Sequence, residues 1–354
     1  MKLLDKKREN EYRHFLESNE RCNFQQSTEW ADVKENWENE IIIVEDEKGE
    51  IIASVSTLIR KIPIFGNLMY IPRGPICDIH DEKVLRKLTD DIKELAKLKK
   101  VFTLEMEPDI ESSDEKFKKI MLRCGFKLND KAKTFSEAIN PRYVFRLNIK
   151  DKTEEEVFNK FYSKTRYNIR LAEKKGVIIK EGTKRDLKDF EEIMKVTGKR
   201  DNFMTRPLSY FERMYDYLVP NHMKLMMAYY EGKPIAGIID IMYGNKIWYL
   251  YGASCNEHRN VMPNYLLQWE MIKYAIKNKK DIYDFRGVSG IVDKNDPQYG
   301  LYRFKKGFDA QFTEFVGELY IHFKPLRYKI YKIAERMYKN IAGIKTKITQ
   351  KWRE

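Results

Sequence analysis

The chain has 354 residues, a formal net charge of +13, four cysteines and many Tyr and Phe side chains. That length suffices for two domains, each with its own core; no apolar run approaches a membrane span, and the charged start "MKLLDKKRENEYRHF" excludes a cleavable secretory signal, so a cytoplasmic protein is expected. Cys22, Cys77, Cys124 and Cys255 lie far apart, with no CxxC or Cys/His spacing, which excludes a disulfide framework and zinc; they read as buried thiols, and no metal site is expected. A basic surface draws phosphate-bearing partners: nucleic acid, nucleotide-linked substrates or an anionic membrane face.

From Ile41 the pattern is an apolar run, the turn "EDEKGE", a longer run "IIASVSTLIRKIPIF", then "NLMYIPRGPI". A charged helix follows at about 81–99, with Val84, Leu88, Ile92, Leu95 and Leu98 as its apolar stripe. Next come the strand "VFTLEMEP", a short helix "EKFKKIMLRC" and "GFKLND". The order returns in "LMMAYYEGKPIAGIIDIMYGNKIWYLYGAS", a helix from Asn264 to Lys277, the strand "IYDFRG", a helix into Phe304, and "GFDAQFTEFVGEL". "LRCGFKLND" aligns with "FKKGFDAQF", so two copies of one mixed α/β unit are expected. The expected division is 1–150, 151–322 and a basic amphipathic helix over 323–354.

In "NKFYSKTRYNIRLAEKKG", Arg166, Arg170 and Lys174 recur every four residues, opposite Phe158, Phe161, Ile169 and Ala172. One helix with a basic stripe is predicted; the stripe is either a solvated face or a track for RNA phosphates. The tail "FKPLRYKIYKIAERMYKNIAGIKTKITQKWRE" carries ten Lys/Arg against two Glu, with Ile330, Ile333, Met337, Ile341, Ile344 and Ile348 at helical spacing. Packing of that apolar face on the body is the first expectation; contact with an anionic membrane surface and extension of an RNA-binding surface are the alternatives. The five histidines (His14, His80, His222, His258, His322) show no pairing, and no Ser/His/Asp or Cys/His order suggests a covalent intermediate.

The repeated unit resembles the GNAT acyltransferase fold: two tandem GNAT-like domains, mixed sheets flanked by helices. In that superfamily a Gly-rich turn wraps the pyrophosphate of acyl-CoA; here "YGASCNEHRNVMPNYLLQW" lacks those glycines, so no coenzyme A and no other cofactor is expected. Two such units, with "FYSKTRYNIRLAEKKGV" opening the second and "YGLYRFKKGFDAQFTEFVGEL" closing it, are similar to the FemABX family of tRNA-dependent peptidoglycan peptidyltransferases. With no room for a helical hairpin between Phe203 and Tyr230, the likeness is to the compact, FemX-like form without a coiled-coil insert.

What that resemblance implies is an aminoacyltransferase acting from aminoacyl-tRNA on the third stem-peptide residue of UDP-MurNAc-pentapeptide or lipid II, with a peripheral contact at the inner membrane face. Lys34 in "QSTEWADVK" and Arg206 in "RDNFMTRPLSYF" match cations at the precursor's diphosphate, and Tyr210 and Tyr251 match tyrosines lining the precursor site. Tyr210, four residues beyond Arg206, is expected on the same helical face. Arg166, Arg170 and Lys174 would hold the tRNA. Phe304 and Lys305 match an aromatic and a lysine where acceptor and aminoacyl ester meet; the adjacent Lys306 competes for the role, with Lys305 preferred. Glu107 in "LEMEPDI" is a weak candidate base, more simply read as a strand-end carboxylate. Direct transfer is expected, Lys305 steadying the oxyanion or the ribose leaving group and Phe304 shaping the channel. The alternatives are a lipid acceptor, as in aminoacyl-phosphatidylglycerol synthases, and an inert tRNA-binding protein.

Overall fold

The computed structural model describes residues 1–134 and 137–348, with side chains as far as residue 337. Helices α1 (Glu9–Ser18) and α2 (Thr28–Val33) open the chain, the latter capped by the Ser27 hydroxyl accepting from the Trp30 N–H. Strands β1 (Glu38–Glu45), β2 (Ile51–Ile62) and β3 (Gly66–Arg73) form an antiparallel meander. Helix α3 (Glu82–Leu98), capped by Asp81, then returns the chain to β4 (Val101–Pro108), which runs parallel to β3. The apolar stripe of α3 runs through Leu85, Leu88, Ile92, Leu95 and Ala96, while Leu98 is exposed. A period of about 3.6 residues carries Leu98 off the face that the expected spacing assigned to it.

Helix α4 (Glu115–Arg123) and β5 (Lys127–Asn129) end the first unit, joined by Gly125 and Phe126. After β6 (Tyr143–Asn148), the expected basic helix is two helices, α5 (Glu154–Lys160) and α6 (Ser163–Lys174), broken at extended Phe161 and Tyr162. Strand β7 (Ile178–Glu181) and helices α7 (Leu187–Asp201) and α8 (Leu208–Leu218) lead into the second meander, β8 (Met223–Tyr230), β9 (Lys233–Tyr243) and β10 (Lys246–Ser254). Helix α9 (Pro263–Lys277) connects to β11 (Ile282–Val288), parallel to β10, and α10 (Tyr299–Lys306) leads through Gly307 and Phe308 to β12 (Gln311–Glu314). The expected repeat of helix, Gly-Phe and strand is thus present in both units.

The two sheets exchange strands. The first has the order β1-β2-β3-β4-β13-β5, with β13 (Glu318–His322) inserted beside β4; the second has the order β12-β6-β11-β10-β9-β8-β7, with β6 inserted beside β11. Each unit therefore keeps the strand that follows its Gly-Phe step, β5 or β12, at an edge of its own sheet and donates the next strand, β6 or β13, to the other sheet. A division at 150 and 322 cuts across this exchange, because β6 lies before residue 150 yet belongs to the second sheet.

Half-buried Arg146 on β6 reinforces the junction: its guanidinium donates to Asp284 on β11 (2.9 Å) and to Asp109 just past β4 (2.6 Å). Burial would raise the Asp109 carboxyl, but Arg146, Lys246 and Arg73 together overcome it and hold that group well below the usual carboxylate range.

The final helix, α11 (Pro325–Ile348), corrects the expected packing. Tyr328 and Tyr331 pack on the body, against Leu58, Leu68, Tyr70 and Phe102, whereas Ile330, Ile333 and Met337 face solvent. The aromatic residues fit the hollow beside Phe65 and Phe102, Tyr331 meeting both rings edge-on at 5.5 and 5.4 Å. Residues 341, 344 and 348 of the predicted stripe lie beyond the described side chains.

Candidate active site

Four side chains from separate parts of the chain meet around one tyrosine. Lys34, at the C-terminal end of α2, donates from Nζ to the Tyr210 hydroxyl (2.9 Å) and lies 4.4 Å from the Trp30 ring centre. The Arg206 guanidinium lies 5.0 Å over the Tyr210 ring, and Arg213 lies 5.7 Å from it. Tyr251 on β10 lies near enough to Tyr210 to add to burial in pushing its phenol up, and its ring meets Phe211 edge-on at 5.3 Å. Lys34, Arg206, Tyr210 and Tyr251 are therefore neighbours.

One detail differs. Arg206 precedes the helix: α8 begins at Leu208 behind Pro207, and a residue before proline is driven out of the helical region. It reaches Tyr210 from the entering loop rather than from the preceding turn.

The cluster is rich in cations and poor in anions. Burial pushes the Lys34 ammonium down to about 7, and Arg206, Arg213 and Arg286 add to the effect. Among the described residues Arg213 is paired with Glu35 (2.7 Å), while Lys34 and Arg206 form no ion pair. Such an arrangement gains by taking up an anion, which restores the charge balance that burial denies the lysine.

A second group surrounds α10. Lys305 is 4 % exposed; its Nζ donates to the Gly287 carbonyl of β11 (2.7 Å) and lies 5.7 Å from the Tyr249 ring centre. Burial pushes its ammonium down to about 7, with Asp284 opposing and Arg286 adding to the shift. Lys306 points outward and is exposed, beside the Tyr302 ring. Half-buried Phe304 packs edge-on against Tyr265 (4.9 Å) and Phe308 (5.4 Å). The neighbouring Gly307 is demanded by space: a Cβ there would stand 2.4 Å from the Thr165 Oγ1 of α6.

Arg286 ties the two groups together and was not singled out from the sequence. It sits on β11 at φ +61°, a left-handed conformation uncommon outside glycine, Asn and Asp. Its guanidinium donates to the Asn140 side chain (3.2 Å); burial and then Arg73 push it down to about 10, with Asp284 opposing, and its charge acts on both Lys34 and Lys305. Nothing in "IYDFRG" marks it, because its importance comes from the backbone turn and from residues far away in the chain. Arg213 had a visible signal, lying three residues after Tyr210 on α8.

Two other expected residues, Glu107 and Arg166, hold backbone groups. Glu107 accepts from the Tyr70 hydroxyl and from the Ile139 and Asn140 N–H groups (2.9 and 2.8 Å), so both its oxygens are engaged in holding the loop before β6. Arg166 donates to the carbonyls of Asn159 (2.9 Å) and Phe161, closing the end of α5. Arg170 lies over Phe158 (5.2 Å), and Lys174 is exposed on the last turn of α6.

The FemAB family profile matches residues 8–233 and 230–336 of this sequence. The chain belongs to the FemAB family. The lipid II:glycine glycyltransferase of Staphylococcus haemolyticus (strain JCSC1435) is 28 % identical, over 96 % of this chain and 97 % of that protein. The crystal structure of FemX superposes with a TM-score of 0.86 at 28 % identity, covering 93 % of this chain and 99 % of that one. A tandem GNAT protein from the clavulanic acid pathway, 9 % identical, shares the fold with a TM-score of 0.53 over 90 % of this chain and 97 % of that one. This FemAB-family protein is thus a transferase built from two GNAT-like units, and among the described residues no helical hairpin interrupts its second meander.

Proposed function

We propose that this FemAB-family enzyme transfers an amino acid from aminoacyl-tRNA to the side-chain amine of the third stem-peptide residue of a peptidoglycan precursor, building an interpeptide bridge. The acceptor is lipid II, the substrate named for the glycyltransferase relatives. The supporting observation is the pairing of a cationic cluster poor in anions, around Lys34 and Arg206, with a buried lysine, Lys305, coupled to it through Arg286.

In this reading Lys34 and Arg206 bind the diphosphate of the precursor, and Tyr210 and Tyr251 line its path. The ester of aminoacyl-tRNA is already reactive, so catalysis consists of presenting a neutral amine and stabilising the tetrahedral oxyanion. An acceptor side-chain amine is protonated at neutral pH and must lose a proton first. Lys305, with its ammonium near neutrality and one N–H engaged by Gly287, retains donors for the oxyanion or the departing ribose oxygen. Phe304 shapes the channel, and Arg170 and Lys174 contact the tRNA backbone.

Incubation with tRNA carrying labelled amino acids and either lipid II, UDP-MurNAc-pentapeptide or phosphatidylglycerol tests the reading. Label on the third residue of lipid II is expected. Label on UDP-MurNAc-pentapeptide alone would move the acceptor to the nucleotide-linked precursor, label on phosphatidylglycerol would replace the acceptor class, and no transfer to any of them would overturn the activity.

A further inference from the structure

Helix α11 has two opposite faces, and the body covers one of them. Tyr328 and Tyr331 are turned inward, Tyr328 stacking on His322 (3.6 Å between ring centres). On the far side, Leu326, Ile330, Ile333 and Met337 follow each other at intervals of four, three and four residues and are 52 to 73 % exposed. At about 3.6 residues per turn this spacing makes one narrow aliphatic row pointing away from the protein.

The flanks of that row are basic. Arg327, Lys329 and Arg336 border it, while Lys332 lies further round the helix beside the single acid Glu335, with which it is paired (3.0 Å). A second element stands beside the start of the helix: the turn between β2 and β3, whose Phe65 carbonyl accepts from the Arg327 guanidinium (3.1 Å). That turn carries Pro63 and Ile64, the latter 97 % exposed, next to exposed Arg60 and Lys61. Two separate segments thus present aliphatic side chains to solvent inside a rim of cations.

We propose that α11 and the Ile64 turn form a docking surface for an anionic lipid bilayer. An RNA backbone would engage the cations and leave the aliphatic row in water. A second copy of this basic chain would bring like charges together around the row. A bilayer with acidic headgroups meets both demands, taking the aliphatic side chains at the acyl boundary and the Lys and Arg heads among the phosphates. No described helix is long and apolar enough to cross a membrane, so the contact is peripheral. The inference rests on the lipid-linked acceptor for its purpose, since docking would bring the enzyme to its substrate, and it is tested without that acceptor.

The full chain is mixed with vesicles of phosphatidylcholine alone or with one-third phosphatidylglycerol and sedimented. Binding to the anionic vesicles is expected, weakened in 0.5 M salt. The double variant Ile330→Glu, Ile333→Glu is expected to lose at least about tenfold in partitioning, with its melting temperature and its sedimentation coefficient in lipid-free buffer unchanged. Lys329→Glu with Arg336→Glu, which keeps the row, should abolish the preference for anionic vesicles. Ile64→Glu gives an independent reading away from the helix. Absence of vesicle binding by the native chain, or binding unaffected by these changes, would overturn the proposal. A native dimer that the Ile330→Glu, Ile333→Glu variant dissociates would overturn it in favour of self-association. Vesicle binding without transfer to lipid II would instead sink the acceptor assignment and leave the docking surface standing.

Discussion

Lys34 and Tyr210, 176 residues apart in the chain, are joined by a hydrogen bond of 2.9 Å from the lysine Nζ to the phenol oxygen. The bond leaves the ammonium with two further donors while burial holds its pKa near 7. Lys34 is therefore a cation whose charge depends on pH within the working range of an enzyme, and in the proposed function it is the one that binds the diphosphate.

Anion binding is expected to follow that charge. Affinity for the precursor should fall as pH rises from 6 to 8, and Lys34→Met should lower it about tenfold at pH 6 while flattening the pH dependence. Arg206→Met should weaken binding similarly and keep a pH dependence displaced to higher pH, because Lys34 remains but loses a neighbouring cation that lowers its pKa. Titration calorimetry with the precursor checks both; an unchanged pH slope in Lys34→Met removes the lysine from the diphosphate site.

Lys305→Met should depress turnover at least about a hundredfold with little change in precursor affinity. It also has a stability signature. The folded-state pKa of Lys305 is about 7, depressed from 10.5, so between these values the unfolded chain binds a proton that the folded chain does not. Native stability should therefore gain from this group as pH rises through that window, and the full penalty should be present at and below pH 7. The melting temperature of Lys305→Met relative to the native protein should accordingly be most favourable at pH 6 and decline toward pH 10. A difference independent of pH would contradict the buried, depressed ammonium.

Arg286→Asn keeps a residue that tolerates the left-handed backbone at φ +61° while removing the cation. Since Arg286 lowers the pKa of both Lys34 and Lys305, the pH profile of kcat should move to higher pH. A profile that stays in place while activity falls would mean that Arg286 acts only by contact.

The close approach of Gly307 to Thr165 also has a consequence. Gly307→Ala should destabilise the protein by about 1–3 kcal/mol and misplace Lys305, because the added Cβ meets a fully packed hydroxyl 2.4 Å away. Adding Thr165→Ala should restore both stability and turnover in large part. Failure of that second change to rescue would locate the cost elsewhere, at the Phe304 carbonyl.

Much of the architecture was legible in the sequence because it rests on local periodicity. Alternating and continuous apolar runs marked the strands of both meanders, the repeated Gly-Phe step marked the helix-to-strand turns, and the stripe of α3 was displaced only at its last residue. The residues that meet around Tyr210 and on α10 came from resemblance, not from spacing. Long-range contacts of this kind leave no period in the chain.

Tertiary structure alone decided three things. It showed that β6 and β13 change sheets, since strand partners are chosen by edges brought together in space and not by order in the chain. It turned Lys305 inward and Lys306 outward, a choice between adjacent residues that the α10 helix makes through its orientation on β11. And it directed the aromatic side of α11 into the body and the aliphatic side outward. The sequence determined by itself that this helix is amphipathic and basic; which of its apolar side chains would find a core depended on the hollow beside Phe65 and Phe102, where tyrosine rings fit.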